Sequence, residues 1–150
     1  MFKKIILVII SLAAAGTLGY FLSNLVHDKA TSPESLPENA LSFITEHFQD
    51  EKIAFAKEDR DLLKISYEIV LTDGTKLEFR RNGELKEITR HRNSIPDGII
   101  PQAAADKVNE LYPDSFITKA EYDDGELELK LDNGFELKFD KNFNLAGLDR

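Results

Sequence analysis

Between Tyr67 and Leu85 apolar and polar residues alternate in two runs split by a tight turn. Tyr67, Ile69 and Leu71 alternate with Glu68, Val70 and Thr72, and Leu77 and Phe79 with Lys76, Glu78 and Arg80. The pattern returns between Leu127 and Leu145, where Leu127, Leu129, Leu131, Phe135, Leu137 and Phe139 alternate with Glu128, Lys130, Asp132, Glu136, Lys138 and Asp140. A period of two predicts strands with one apolar and one wet face. Asp73-Gly74 and Asn133-Gly134 predict type I′ hairpin turns, because those dipeptides tolerate positive φ.

Upstream of each hairpin the period changes. Ala40, Phe43, Ile44, His47 and Phe48 form one stripe at helical spacing, opened by Pro37. Ala104, Val108, Leu111 and Tyr112 do the same after Pro101. A constant offset aligns Pro37 with Pro101, Ala40 with Ala104 and Ile53 with Ile117. A deletion of four residues then brings Gly74 onto Gly134, Leu77 onto Leu137, Phe79 onto Phe139 and Leu85 onto Leu145. The expected fold is α+β: a tandem duplication of a helix plus a four-stranded antiparallel sheet, with the helices on one sheet face and the other face open to water. Strands are expected at Ile53–Lys57, Ile65–Thr72, Lys76–Arg81 and Leu85–Thr89, with a charged turn at Glu58–Asp61. The units span 37–92 and 101–150, joined by a linker at 93–100. Each half is marginal alone, so the two sheets are expected to join at their edges or share a core.

The N-terminus follows another logic. Lys3 and Lys4 precede an apolar run from Ile5 to Leu12, and Ala13-Ala14-Ala15 offers a peptidase site. Residues 1–25 read as a signal peptide or, in the rival reading, as an inner-membrane anchor over residues 5–26. Both export the remainder, with 26–36 as a flexible tether, and membrane attachment would run only through that segment.

Composition narrows the chemistry. The net charge of −8 argues against nucleic acid as a partner. The absence of cysteine removes thiolate nucleophiles, disulfides and Cys-bound metals. His27, His47 and His91 have no ligand spacing, no Gly-x-Ser-x-Gly or glycine-rich phosphate loop occurs, and the carboxylates alternate along strands as a solvated face does. Asp123-Asp124-Gly125-Glu126 reads as a hairpin turn in preference to a calcium loop. No catalytic, cofactor or metal site is expected. Arg80-Arg81 and Arg90-His91-Arg92 are two cationic clusters, read as lying at the same end of the first sheet.

The repeated Tyr/Leu-Glu-x-x-Leu-x-(Asp/Asn)-Gly-x-x-Leu-x-Phe, each copy preceded by a Pro-led helix, resembles the PepSY-like family of periplasmic proteins, similar in fold to the beta-lactamase inhibitor protein. The likeness covers residues 36–149 and is sharpest at Leu127–Phe139. Leu85 and Leu145 stand where that family often has tryptophan, and Phe143 stands where the first copy has Gly83. The resemblance implies an exported protein that is not an enzyme and that binds an envelope protein through the open sheet face, with inhibition or regulation of an enzyme such as a peptidase as one form of this. Candidate contact residues are Glu68, Val70, Glu78, Arg80, Glu128, Lys130 and Lys138. The alternative is a small-ligand or lipid binder with a pocket between helices and sheet.

Overall fold

A computed structural model describes residues 26–61 and 64–150, with backbone alone for 26–30; the expected signal peptide or anchor lies outside the described residues. The elements are β1 (Val26–Ala30), a 3₁₀ turn (Pro33–Ser35), α1 (Glu38–His47), β2 (Ile53–Asp61), β3 (Lys64–Leu71), β4 (Lys76–Arg80), β5 (Leu85–Thr89), α2 (Gln102–Leu111), β6 (Ile117–Asp123), β7 (Glu126–Leu131), β8 (Glu136–Phe139) and β9 (Leu145–Asp149). All strands join one antiparallel sheet in sequence order, β1 to β9.

Both helices start and stop alike. Pro37 and Pro101 sit at the N-caps in extended backbone. At the far ends Phe48 and Tyr112 leave the helix, while their N–H groups still donate to the carbonyls of Ile44 and Val108. The helical stripes bury Ala40 and Ile44 in α1, and Ala104 and Val108 in α2. Phe43 meets Phe79 edge-on at 5.5 Å between ring centroids, and Tyr112 lies 4.9 Å from Phe135. These rings pack between the helices and the sheet.

A row of apolar residues crosses the sheet beneath the helices. Ala56, Ile69, Leu77, Ile88, Ala120, Leu129 and Leu137 are successive cross-strand partners, and all are buried. The row runs through the β5–β6 joint, where Glu87–Thr89 pair with Lys119–Glu121. The two halves therefore share both an edge and a core, with Ile95 and Ile99 of the linker buried in the same cluster.

Four details depart from the sequence expectation. First, Glu58–Asp61 continues β2 instead of turning. Second, Val26–Ala30 forms an edge strand against that extension (Ala30 opposite Lys57, Val26 opposite Asp61) in place of a flexible tether. The longer β2 offers unpaired backbone groups, and β1 satisfies them. Third, the turns at Gly74 and Gly134 are three-residue loops with only the glycine at positive φ (84° and 90°), not type I′ turns. The Asp73 carboxylate accepts the Thr75 N–H at 2.8 Å, and Asn133 Oδ1 accepts the Phe135 N–H at 3.0 Å, which holds each loop in an Asx-type turn. The type I′ geometry occurs instead at Asp124-Gly125, with φ of 46° and 85°. Fourth, the two arginine clusters lie at opposite ends of the antiparallel β4–β5 hairpin. Arg80 is beside the β4–β5 turn, whereas Arg90 reaches the β3–β4 turn through an ion pair with Asp73 at 2.8 Å.

Candidate functional site: the open sheet face

Opposite the helices the cross-strand register builds an unbroken row: Lys57, Glu68, Glu78, Glu87, Glu121, Glu128 and Lys138. Five consecutive glutamates bracketed by lysines thus cross both halves of the sheet. Like charges directly opposite one another on neighbouring strands are unfavourable. Lysines relieve the repulsion. Lys57 meets Glu68 at 3.2 Å, Lys86 meets Glu78 at 2.8 Å, Lys119 bridges Glu87 at 3.2 Å and Glu121 at 2.9 Å, and Lys138 meets Glu128 at 3.7 Å.

A second row lies two residues along each strand: Phe55, Val70, Lys76, Thr89, Lys119, Lys130 and Glu136. Lys130 pairs with Glu136 at 2.7 Å, and Lys138 also reaches Asp149 at 3.0 Å. The face therefore carries an acidic row beside one whose charges are three lysines and one glutamate. Burial pulls the ammonium pKa values of Lys86 and Lys119 down, but the hydrogen bonds and charges of their glutamates outweigh it and leave both raised. Lys138 is raised by its hydrogen bond to Asp149 and by the charges of Asp149 and Glu128. These lysines stay cationic throughout the physiological range.

β-bulges set which side chains reach this face. One bulge lies between Ile53 and Phe55, and Phe55 lies opposite Val70 on the charged side, 47% exposed. The corresponding bulge in β6 lies between Ile117 and Lys119 and delivers Lys119 instead. A third bulge, between Glu78 and Phe79, adds Lys86 as an extra residue in β5.

Of the expected contact residues, Glu68, Val70, Glu78, Glu128, Lys130 and Lys138 lie in these two rows. Arg80 is spent otherwise. Its guanidinium donates to the carbonyl oxygens of Leu85 at 3.2 Å and Tyr122 at 2.5 Å, clamping the end of the short β5–β6 joint. Sequence reasoning also offered Phe55 as an anchor, but it missed Lys86, Glu87, Lys119 and Glu121. The bulges break the period of two in β2, β5 and β6, so alternation could not assign their faces. Among the described residues, no three histidine, aspartate or glutamate side chains converge to hold a metal ion.

The family profile described as "Putative beta-lactamase-inhibitor-like, PepSY-like" matches residues 65–147, more than half of the chain. The chain belongs to the PepSY-like family. Three crystal structures resemble this PepSY-like protein, each with a TM-score of 0.79. A DUF2874-family protein from Bacteroides vulgatus, described as periplasmic, is 38% identical, with 82% of this chain aligned to 97% of that one. One from Bacteroides thetaiotaomicron, described as calcium-regulated and periplasmic, is 41% identical over 82% and 97% of the two chains. A third, from Bacteroides vulgatus and described as periplasmic and of unknown function, is 34% identical over 83% and 100%. No curated protein sequence matches the chain.

Proposed function

We propose that this PepSY-like protein is an exported, non-enzymatic binding module of the cell envelope, and that it holds a protein partner with the open sheet face. The observation that carries the reading is the pair of charged rows crossing both halves of the sheet, with Phe55 and Val70 at one end as an apolar foothold. Aligned charges of both signs steer a complementary surface and fix its register, while an exposed aromatic supplies contact area. Inhibition or regulation of an envelope enzyme, a peptidase being one candidate class, is the form such binding takes in this reading. Three periplasmic relatives support export.

The two halves are read as a duplication. Equivalent strands carry bulges at equivalent places, at Ile53/Phe55 and Ile117/Lys119 and again at Glu78/Phe79 and Lys138/Phe139. The loops at Gly74 and Gly134 close with the same backbone bonds, Leu71 N–H to Thr75 and Leu131 N–H to Phe135. Duplication doubles the charged face without a new fold.

The test is crosslinking in intact envelopes with the tagged chain and a Lys130→Glu/Lys138→Glu variant. Both lysines are about half exposed, so the fold should survive their reversal. The proposal expects one dominant envelope protein on the wild-type chain and at least a tenfold loss on the variant, at an unchanged circular dichroism spectrum. Equal capture by both chains would remove the open face from the account.

A further inference from the structure

The β5–β6 joint has an unused counterpart at the ends of the sheet. In β5, Glu87, Ile88 and Thr89 pair with Glu78, Leu77 and Lys76 on one side and with β6 on the other. In β9, Gly147, Leu148 and Asp149 pair in the same way with Lys138, Leu137 and Glu136, but among the described residues β9 is the last strand of the sheet. Ile88 is fully buried at its joint, whereas Leu148 is 46% exposed. On the receiving side, β6 offers Lys119, Ala120 and Glu121, which pair with Lys130, Leu129 and Glu128. The same positions in β2 are Phe55, Ala56 and Lys57, paired with Val70, Ile69 and Glu68. That receiving edge is occupied. β1 pairs with Lys57 to Asp61, and the Thr31 N–H donates to the Ala56 carbonyl at 3.0 Å.

We propose that the β2 edge is a strand-exchange site. It is held by the chain's own β1 and, when β1 leaves, accepts β9 of a second copy in the geometry of the β5–β6 joint. Transposing that joint sets Leu148 of one copy against Ala56 of the next, on the helix side. It sets Gly147 against Lys57 and Asp149 against Phe55, so Lys57 comes diagonal to Asp149 and no like charges face each other. The internal joint, by contrast, has Glu87 facing Glu121. The contact is head to tail, so repeated addition would extend the sheet. β1 is the guard that stops this, as native proteins cover exposed sheet edges. The proposal rests on the matched joints and not on what the open face binds.

The test compares the chain purified from envelopes with an Asp28→Pro/Lys29→Pro variant, in which consecutive prolines remove a ladder donor whichever residue supplies it. By light scattering, the wild-type chain should stay monomeric, and the variant should form oligomers that grow with concentration. Leu148→Lys, added to the variant, should return it to the monomer. The chain has no cysteine, so Ala56→Cys and Leu148→Cys in separate copies of the variant should give an intermolecular disulfide between those two positions. A folded but monomeric variant would overturn the proposal, as would oligomers that crosslink through Leu148→Cys alone. If the double proline unfolds the chain, Lys29→Pro, which removes the donor two residues from Thr31 in the same ladder, gives the same readout with the same cysteine pair. Loss of partner capture by the open face would leave these outcomes unchanged.

Discussion

Gly83→Ala should be among the most damaging single-methyl additions in the molecule, although the residue lies in a surface turn. Gly83 has φ of +81°, and a Cβ there would stand 2.8 Å from Asn39 Cβ, 2.9 Å from Pro37 Cβ and 3.0 Å from the Ala40 nitrogen. None of those atoms can rotate away, because each is backbone or fixed to it, so the start of α1 must shift. The left-handed backbone costs an alanine about 1–2 kcal/mol, and overpacking of this kind costs about 1–3 kcal/mol. The sum is about 2–5 kcal/mol. It would be enlarged if the Asn39 side chain lost its 3.0 Å hydrogen bond to the Asn82 carbonyl. Gly74 is the control: its φ is +84°, but a Cβ there meets nothing within 4 Å, so Gly74→Ala should cost only the backbone share, about 1–2 kcal/mol. Urea denaturation of both variants, with m-values unchanged, measures the difference. Equal losses at the two sites would refute the reasoning, since the helix contact would then cost nothing.

Other outcomes follow from single contacts. Arg80→Lys should destabilise by about 2 kcal/mol, because an ammonium cannot fork to the Leu85 and Tyr122 carbonyls; thermal melts will show it. Burial raises the Asp73 carboxyl, but hydrogen bonds from the Thr75 N–H and hydroxyl, then the hydrogen bond and charge of Arg90, outweigh this and hold it below its usual range. The carboxylate is 15% exposed. Its stabilisation is present above the unfolded value near about 4 and is lost as pH falls through the lower folded value. Asp73→Asn should therefore cost about 1–2 kcal/mol at neutral pH, with the gap to wild type closing in acid. Burial pushes the Tyr122 hydroxyl up to about 12, where it donates to the Ile99 carbonyl at 3.0 Å. In an ultraviolet pH titration Tyr122 should give a late step at about 12, and the stability it provides should fade as pH rises from about 10 towards that value. Tyr122→Phe should remove the late step and cost about 1 kcal/mol.

The helices and hairpins were legible because their patterns are local. The stripe through Ala40 and Ile44 and the alternation from Leu127 to Phe139 each need only a few residues to declare a face. What stayed hidden depends on pairing between distant segments. Val26–Ala30 has no pattern of its own and becomes a strand because β2 overruns its expected end at Lys57. The central glutamates Glu87 and Glu121 flank the joint between the halves, and the extra residues near Lys86 and Thr118 throw the alternation out of phase there. Arg80 looked like a free surface cation because its carbonyl partners include one in β6, beyond the first half. The Asp-Gly and Asn-Gly dipeptides located their turns but not the turn type, which the Asp73 and Asn133 side chains decide.

Site-specific photocrosslinking in living cells tests the binding account most directly. A photoreactive residue at Glu128, within the acidic row, is compared with one at Glu110, exposed on α2 behind the sheet. The account predicts one discrete envelope-protein adduct from Glu128 and none from Glu110. The same adduct from both positions, or adducts from Glu110 alone, would contradict it.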